Sequence, residues 1–253
     1  MRIAVAGGTG VVGRHTVDAV RAAGHEPVVL ARSTGVDVTT GAGLAAALAG
    51  VDTVIDATNV ETIKASKAQA WFTTATVNLL AAEVQAGVGH HVALSIVGID
   101  DVDFGYYIGK RAQEAAALAG DVPVTILRAT QFHEFPGQTL ARSKGPLAPV
   151  PKMRSQTVAA SEVGTELVRL ALGAALGRAP DIAGPEVHEM PDLARRVLAH
   201  RGSRRRVLAT PIPGAAGKAM ASGALLPVGA HTRGTITFDR WLAEQPAQRP
   251  GPG

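Results

Sequence analysis

The first fourteen residues, Met1-Arg-Ile-Ala-Val-Ala-Gly-Gly-Thr-Gly-Val-Val-Gly-Arg14, limit most sharply what this chain can become. Arg2 to Ala6 is a short apolar run and reads as a buried strand. Gly7, Gly8, Gly10 and Gly13 follow at once, and an amphipathic helix begins near Val11. Gly7 and Gly8 suit a tight turn with positive φ, which a Cβ would penalise. At Gly10 the missing Cβ lets a diphosphate approach the main chain, and at Gly13 it lets the helix lie close to the strand. Unsatisfied amides and the positive end of the helix dipole then favour phosphate charge. Thr9, Val11 and Val12 complete the loop. The spacing G-x-x-G-x-x-G departs from G-x-G-x-x-G. The strand before it and the helix after it separate a dinucleotide loop from a plain glycine turn.

Beyond that opening, strands and helices alternate. The patterns predict helix over 11–23, strand over 26–31, a short element at 36–38, helical turns over 44–49 and strand over 51–57. A helix over 67–86 and strands over 92–97 and 122–127 follow, then helices over 161–176, 191–200 and 237–244. Residues 215–224 are rich in small side chains and of undecided type, and Gly137 to Arg154 reads as a surface loop. Such alternation implies an α/β fold with a doubly wound parallel sheet and helices on both faces.

Composition narrows the class. A chain of 253 residues with 46% hydrophobic content can bury a sizeable core, as one domain or as one with a smaller lobe. No apolar run reaches the ~18 residues of a membrane span, and Met1 leads straight into a strand where a secretory leader would need a longer apolar segment. There is no cysteine, which excludes disulfides, thiolate catalysis and Cys-ligated metals, and cytoplasmic location is the simplest expectation. Net charge is +4, with Arg195, Arg196, Arg201, Arg204, Arg205 and Arg206 crowded together. No aromatic residues interleave there, so a solvated helix face is favoured over a nucleic-acid patch. The expected partner is a small-molecule substrate, with no nucleic acid and no membrane, for a monomer or homodimer. His90-His91 reads as a loop pair with no further ligands nearby, and no metal is expected.

Where the second strand ends, an acidic residue would bond the 2′-hydroxyl of NAD. The first polar residue there is Arg32, which can pair a 2′-phosphate. That favours NADP(H), with NAD(H) second, against the alternative of an ordinary solvated arginine. Asp37, beside Val38, either accepts from an adenine amino group or caps a turn. Ala57, Thr58 and Asn59 end the third strand at the edge where cofactors lie.

A second constellation follows the 92–97 strand. Tyr106 and Lys110 are four apart and share a helix face. An adjacent ammonium would lower the phenol pKa, and a phenol tuned in this way gives a proton to a carbonyl oxygen as hydride arrives. Lys110 could also bond the nicotinamide ribose, and Ser95 could donate to the same carbonyl oxygen. Tyr107 reads as core or pocket wall. Gln131, Phe132 and His133 follow the last strand and should face the nicotinamide end of the cleft. There His133 either meets substrate as an acid/base or shapes a pocket. Asn78 could hold a proton-relaying water or lie exposed.

With Ala6-Gly-Gly-Thr-Gly-Val-Val-Gly13, Leu94-Ser-Ile-Val-Gly-Ile99, Tyr106-Tyr-Ile-Gly-Lys110 and Leu127-Arg-Ala-Thr-Gln-Phe-His133, the sequence resembles the atypical short-chain dehydrogenase/reductase superfamily and its NmrA-like NAD(P)-binding branch. The resemblance implies a Rossmann-type sheet with a small C-terminal substrate-binding lobe. The corresponding division is 1–135 as core, 136–244 as lobe interleaved with the last core elements, and 245–253 as a disordered tail. It implies cofactor roles for Gly7, Thr9, Gly10, Val12 and Gly13, a 2′-phosphate role for Arg32, and catalytic roles for Ser95, Tyr106 and Lys110. Three activities fit it. One is NADPH-dependent reduction of a partly apolar carbonyl, enone or quinone. The others are NADP(H) sensing without turnover and a redox-neutral biosynthetic step.

Overall fold

The computed structural model describes residues 1–246. In chain order its elements begin β1 (Arg2–Ala6), α1 (Val11–Ala22), β2 (Glu26–Leu30), α2 (Leu44–Ala47), β3 (Thr53–Asp56), α3 (Ala65–Ala86), β4 (His90–Ile96), α4 (Gly105–Leu118) and β5 (Val124–Ala129). They continue α5 (Phe135–Ala141), β6 (Leu147–Pro151), β7 (Arg154–Ser155), α6 (Ala160–Ala171), β8 (Gly177–Arg178), β9 (Ile182–Ala183) and β10 (His188–Glu189). Last come α7 (Met190–His200), β11 (Arg206–Thr210), α8 (Gly214–Ser222), β12 (Thr232–Arg233) and α9 (Phe238–Ala243). The chain divides into two compact units, Met1–Ala129 with Ala160–Pro180, and Thr130–Ala159 with the chain from Asp181.

In the first unit the strands run β2-β1-β3-β4-β5 with β8 beside β5, and every pair is parallel. This is a Rossmann-like sheet. Successive side chains leave a strand on opposite faces. Thr53 Oγ1 donates to the Ala171 carbonyl of α6, whereas the Asp56 carboxylate accepts from Gln113 of α4. Residues 53 and 56 face opposite ways, so α6 and α4 cover opposite faces of the sheet. α1 packs on α6 and α3 on α4. Glycine permits both crossings. A Cβ at Gly164 would stand 2.8 Å from the Thr16 nitrogen, and one at Gly109 2.7 Å from the Ala68 Cβ.

The second unit pairs β6 with β11 and β9 with β12 in parallel, and β7 with β10 antiparallel. The stretch Gly137 to Arg154, expected to be a surface loop, contains most of α5 and all of β6. Its alternating Leu-Ala-Pro-Val-Pro buries Ala148 and Val150, and the pairing with β11 was not visible locally. Residues 215–224 resolve as most of α8. The 36–38 element is an Asp37–Ala42 bridge, not a strand. The tail expectation for 247–253 lies outside the described residues. Among those described, no helix is long and apolar enough to cross a membrane.

His90 and His91, expected in a loop, begin β4, and being adjacent they face opposite sides. His90 Nε2 meets Thr125 Oγ1 at 2.9 Å. His91 Nδ1 lies 2.8 Å from Glu83 Oε1, with both side chains fully shielded. Burial alone would lower the His91 pKa, but the charge and hydrogen bond of Glu83, with Asp56 behind them, raise it. Burial raises Glu83 as well.

Both members of the pair therefore bind protons more tightly folded than unfolded. The imidazole's contribution is complete below its unfolded value of ~6.5 and is lost as pH rises through the raised folded value. His90, whose pKa burial lowers, gives the opposite slope only below that point. The denaturant midpoint should fall from pH 6.5 upward, by up to about 1.4 kcal/mol per pH unit for one proton, and Glu83→Gln should flatten the fall. A midpoint that holds or rises over that range in the unmodified protein contradicts the assignment.

Candidate active site

The opening turn is built as a cradle. Gly7 has φ +75°, and a Cβ there would stand 2.7 Å from the Ala57 carbonyl oxygen. Gly8 was expected to need positive φ as well and does not. Its requirement is space, since a Cβ would meet Val29 Cγ1 and the Val5 carbonyl at 3.0 Å. Gly10 N donates to the Gly7 carbonyl at 2.8 Å, and a Cβ on Gly13 would lie 2.0 Å from that same oxygen. Gly13 thus seats α1 on the glycine turn itself. Gly10 is the N-cap residue, no side chain caps the helix, and its first turn holds no acid. The amides of Val11 and Val12 therefore begin a helix that no carboxylate or hydroxyl closes. Both the space and the donor set fit a dinucleotide diphosphate.

Beyond β2, exposed Arg32 opens a single turn of 3₁₀ helix, Arg32–Thr34. Thr34 ties that turn back through its hydroxyl, donating to the Val29 carbonyl at 2.9 Å. Asp37 Oδ1 accepts from Thr39 N at 2.8 Å and Thr39 Oγ1 at 2.7 Å, and these bonds lower its pKa. Through Oδ1, Asp37 makes the turn, one of the two roles expected for it. Asn78, expected either to hold a water or to lie exposed, is half-buried. Its amide donates to the Val38 and Thr39 carbonyls at 3.0 and 2.9 Å, fixing the 37–39 turn from α3.

The end of β3 organises the other half of the site. Asp56 is 1% exposed. Its Oδ1 accepts from Thr58 N at 2.9 Å and Thr58 Oγ1 at 2.6 Å, and its Oδ2 from Gln113 Nε2 at 2.7 Å. The turn through Ala57 and Thr58 that faces Gly7 is thereby fixed. Next along, Asn59 Oδ1 accepts the Tyr106 hydroxyl at 2.6 Å. Gly7, Ala57, Thr58, Asn59 and Tyr106 form one contiguous surface.

Lys110 points elsewhere. Its ammonium donates to the Leu94 carbonyl at 2.7 Å and to Gln113 Oε1, and lies 4.8 Å over the Phe72 ring centroid. Burial pulls its pKa down to about 8, against the pull of Asp56 and Glu114. The Phe72 ring also packs edge-on against Tyr106, at 5.8 Å between centroids. An ammonium was expected to lower the Tyr106 pKa. Burial, with a smaller contribution from Tyr107, raises it. A shared helix face did bring the two side chains near one ring, but the cation took its partners from β4 and α4. Ser95 is 2% exposed and forms no hydrogen bond of good geometry. It lies beside Glu114 and helps hold that carboxylate charged, with Arg128 as the larger influence against desolvation. Tyr107 is buried against Phe104, as a core position.

Gln131, Phe132 and His133 belong to the second unit. Phe132 bridges to Val158, and Gln131 Oε1 accepts from Ser155 Oγ at 3.2 Å. His133 Nδ1 meets Thr157 Oγ1 at 2.9 Å and Nε2 meets the Ile236 carbonyl at 3.0 Å, between Phe238 and Trp241. A carbonyl only accepts, so Nε2 carries the proton. With both nitrogens engaged, His133 packs its own unit and has no nitrogen left over as an acid/base.

The residues that pattern reading missed are Asp56, Gln113 and Phe72. A lone carboxylate in Thr-Val-Ile-Asp-Ala could have flagged the first, because a buried charge needs partners. Gln113, three residues after Lys110, shares its helix face.

Residues 3–96 match the model of the NAD dependent epimerase/dehydratase family. No curated protein matches the chain. Solved structures do. MoeE5 in complex with UDP-glucuronic acid and NAD superposes with a TM-score of 0.74 at 18% identity, over 97% of each chain. UDP-glucose 4-epimerase with UDP-glucose, from Thermotoga maritima, gives 0.73 at 14% identity over 96% of each. A short-chain dehydrogenase/reductase superfamily protein from Agrobacterium tumefaciens with bound NAD gives 0.69 at 18%, over 96% of this chain and 95% of that one. At these identities the likeness is one of fold.

A spectroscopic titration checks the site. In a Tyr107→Phe variant, the Tyr106 phenolate absorbance should develop with a midpoint above the free value of ~10. A midpoint below ~10 would mean that the phenol is tuned by charge and not by burial.

Proposed function

We propose that this protein is an NAD(P)H-dependent reductase of a small or medium, partly apolar carbonyl, enone or quinone, with Tyr106 as proton donor. The observation that carries the reading is the Tyr106 hydroxyl, raised in pKa and donated to Asn59 Oδ1 at 2.6 Å beside the Ala57–Thr58 turn. A phenol kept protonated at neutral pH can give a proton to an oxygen that is gaining charge. It is a poor base for drawing a proton from an alcohol, which is how oxidation of a substrate hydroxyl would begin.

Gly7, Thr9, Gly10, Val11, Val12 and Gly13 would hold the diphosphate through main-chain amides and absent side chains. Arg32 would pair a 2′-phosphate, and Val38 with the turn held by Asp37 would border the adenine. When bound, the dinucleotide supplies hydride. The chain's part is to exclude water around the phenol, to hold the proton on Tyr106 Oη through Asn59, and to release it to the substrate oxygen. The second unit would supply the substrate lobe. Gln131, Phe132 and His133, all in that unit, would shape its walls.

The family-model match ends at Ile96, ten residues before Tyr106. It supports a nicotinamide dinucleotide at the glycine turn and is silent on the substrate. NAD in the neighbouring structures favours NAD(H), whereas exposed Arg32 favours NADP(H). Because this residue and not the glycine turn distinguishes the two cofactors, we place NADP(H) first. The NmrA-like branch belongs to the same reading and rests on the motifs quoted for it.

Binding and turnover test it separately. NADPH should bind more tightly than NADH by fluorescence titration, and Arg32→Glu should reverse the order while keeping NADH binding. Equal affinity for both cofactors in the unmodified protein removes the Arg32 assignment. Across a carbonyl and quinone panel, NADPH absorbance should fall with at least one substrate. Tyr106→Phe should then lower kcat by about 10²- to 10⁴-fold. Binding without turnover of any substrate would leave a cofactor sensor, and product formed with no net cofactor change a redox-neutral enzyme.

A further inference from the structure

Residues 135–161 and 193–238 contain no Asp or Glu, and they supply α5, β6, β11, α8 and most of α7. Within this acid-free part, one strand has an unfinished edge. We propose that β11 is a docking edge, which takes an extended segment of another protein, acidic and aliphatic in composition, as an added strand. The inference does not rest on the function proposed above.

The argument begins with register. β11 pairs with β6 in parallel, with Arg206 opposite Leu147 and Thr210 opposite Pro151. The Arg206 amide donates to the Pro146 carbonyl at 2.8 Å, and the Thr210 carbonyl accepts from the Lys152 amide at 2.9 Å. Backbone groups alternate in direction along a strand, so those of residues 206, 208 and 210 turn toward β6 and those of Val207 and Ala209 turn away. On β6 the residues that turn away from β11 are 147, 149 and 151, and two of these are Pro149 and Pro151. Proline has no N–H to offer, so that edge is blunted. β11 has no proline before Pro211, and among the described residues no other strand pairs with it. The Val207 and Ala209 amides and carbonyls therefore face an open edge.

The side chains around that edge select the occupant. Leu208 is 51% exposed, and Arg204 and Arg206 are exposed. Among the described residues these two arginines have no ion-pair partner. Beside the strand lies a cleft of about 360 Å³, apolar along Leu198, Ala199 and Val207 and charged along Arg195, Arg205 and Arg206. No residue of β6 lines it, so it opens on the β11 side. Arg205 is fixed there by donating to the Leu140, Ser143 and Gly145 carbonyls at 3.0, 2.8 and 2.9 Å, and Arg195 is bonded to Asp192. The last carbonyls of α7, those of Val197, Leu198 and Ala199, accept from the Arg201, Ser203 and Gly202 amides at 3.1, 2.9 and 3.0 Å. The helix end thus presents none of these oxygens bare to repel a carboxylate. In strand addition the main chain supplies affinity and alternate side chains supply selectivity. Opposite Arg206 the added strand places an acid, opposite Leu208 an aliphatic side chain, and between them a small aliphatic one turned into the cleft. A second copy of this chain fits less well, because two β11 edges would bring Arg204 and Arg206 against an edge with no acid.

The probe is a fluorescein-labelled peptide, Glu-Val-Leu-Val-Glu-Val, read by anisotropy against the full chain. It should bind with an affinity that falls as salt rises, and Lys-Val-Leu-Val-Lys-Val should not bind. Val207→Pro removes one edge donor without touching the ladder to β6, and should weaken binding by about 3- to 10-fold, the worth of one hydrogen bond. Arg206→Glu sets like charge against the peptide and should weaken it by more. No binding of the acidic peptide, equal binding of the lysine peptide, or unchanged affinity in Val207→Pro overturns the proposal, since attraction by charge alone does not depend on an edge amide. If Val207→Pro does not fold, the unmodified chain is tested with the acidic peptide N-methylated at alternate residues, in both registers. One register should abolish binding and the other spare it, and equal affinity for the two overturns the proposal. Sedimentation covers the remaining occupant: a dimer that Val207→Pro dissociates would give the edge to a second copy and overturn it as well.

Discussion

Everything at the cofactor-facing edge depends on how closely α1 sits on its own glycine turn. A Cβ on Gly13 would lie 2.0 Å from the Gly7 carbonyl oxygen, and one on Gly7 2.7 Å from that of Ala57. These two clearances tie β1, α1 and the end of β3 into one surface made of backbone. Glycine weakens a helix or strand by about 0.5–1 kcal/mol through its conformational freedom, yet no other residue allows the approach. What is gained is a helix start with no capping side chain and no acid in its first turn. Such an end leaves amides that only a ligand or water can satisfy.

A second constraint acts beneath the sheet. The layer between β3, β4 and the α3–α4 pair holds Asp56, Gln113, Lys110, Glu83, His91 and Glu114, all buried. Each charge has a partner: Glu114 takes Arg128 and Arg178, Glu83 takes His91, and Asp56 takes Gln113 and Thr58. Removing one partner from such a layer leaves a desolvated group behind, which costs more than the contact itself contributed. The same layer fixes the Thr58 turn above it and the lysine inside it. Local stability and site geometry are therefore one network, reached from one side by Asp56 and from the other by α4.

The fold was legible because its signals are local. Alternating strands and helices, Gly24 after α1 and the glycine run all lie within short windows, and the parallel sheet follows from them. Long-range pairing was not legible. β6 and β11 meet across more than fifty residues, so their stretches looked like loop and basic segment. The site split in the same way. Main-chain roles at Gly7 and Gly13 could be read directly, because missing atoms act through local geometry. Side-chain directions could not. Tyr106 and Lys110 have the spacing of a cooperating pair, but spacing gives only a shared face. Where the ammonium points was decided by the Leu94 carbonyl and by Gln113, one of them on another element. His133 shows the same limit, since the Ile236 carbonyl that occupies its Nε2 lies about a hundred residues away.

On the proposed reading, the protonation of Tyr106 bears on which chemistry fits the site. One neighbour of this architecture, the UDP-glucose 4-epimerase from Thermotoga maritima, was solved with UDP-glucose. Oxidising a substrate hydroxyl needs a group that takes a proton away, and the phenol proposed as the acting group is one whose pKa burial has raised. Lys110, which could have opposed that shift, is itself lowered to about 8 and bonded to neutral oxygens. Reduction needs the opposite: a proton stored on an oxygen at neutral pH and released as charge grows on the substrate. A phenol raised by desolvation stores it, and a single accepted bond to Asn59 holds its direction without removing it. The asymmetry between storing and taking a proton comes first from burial, with a smaller contribution from Tyr107, and both arise within the chain itself.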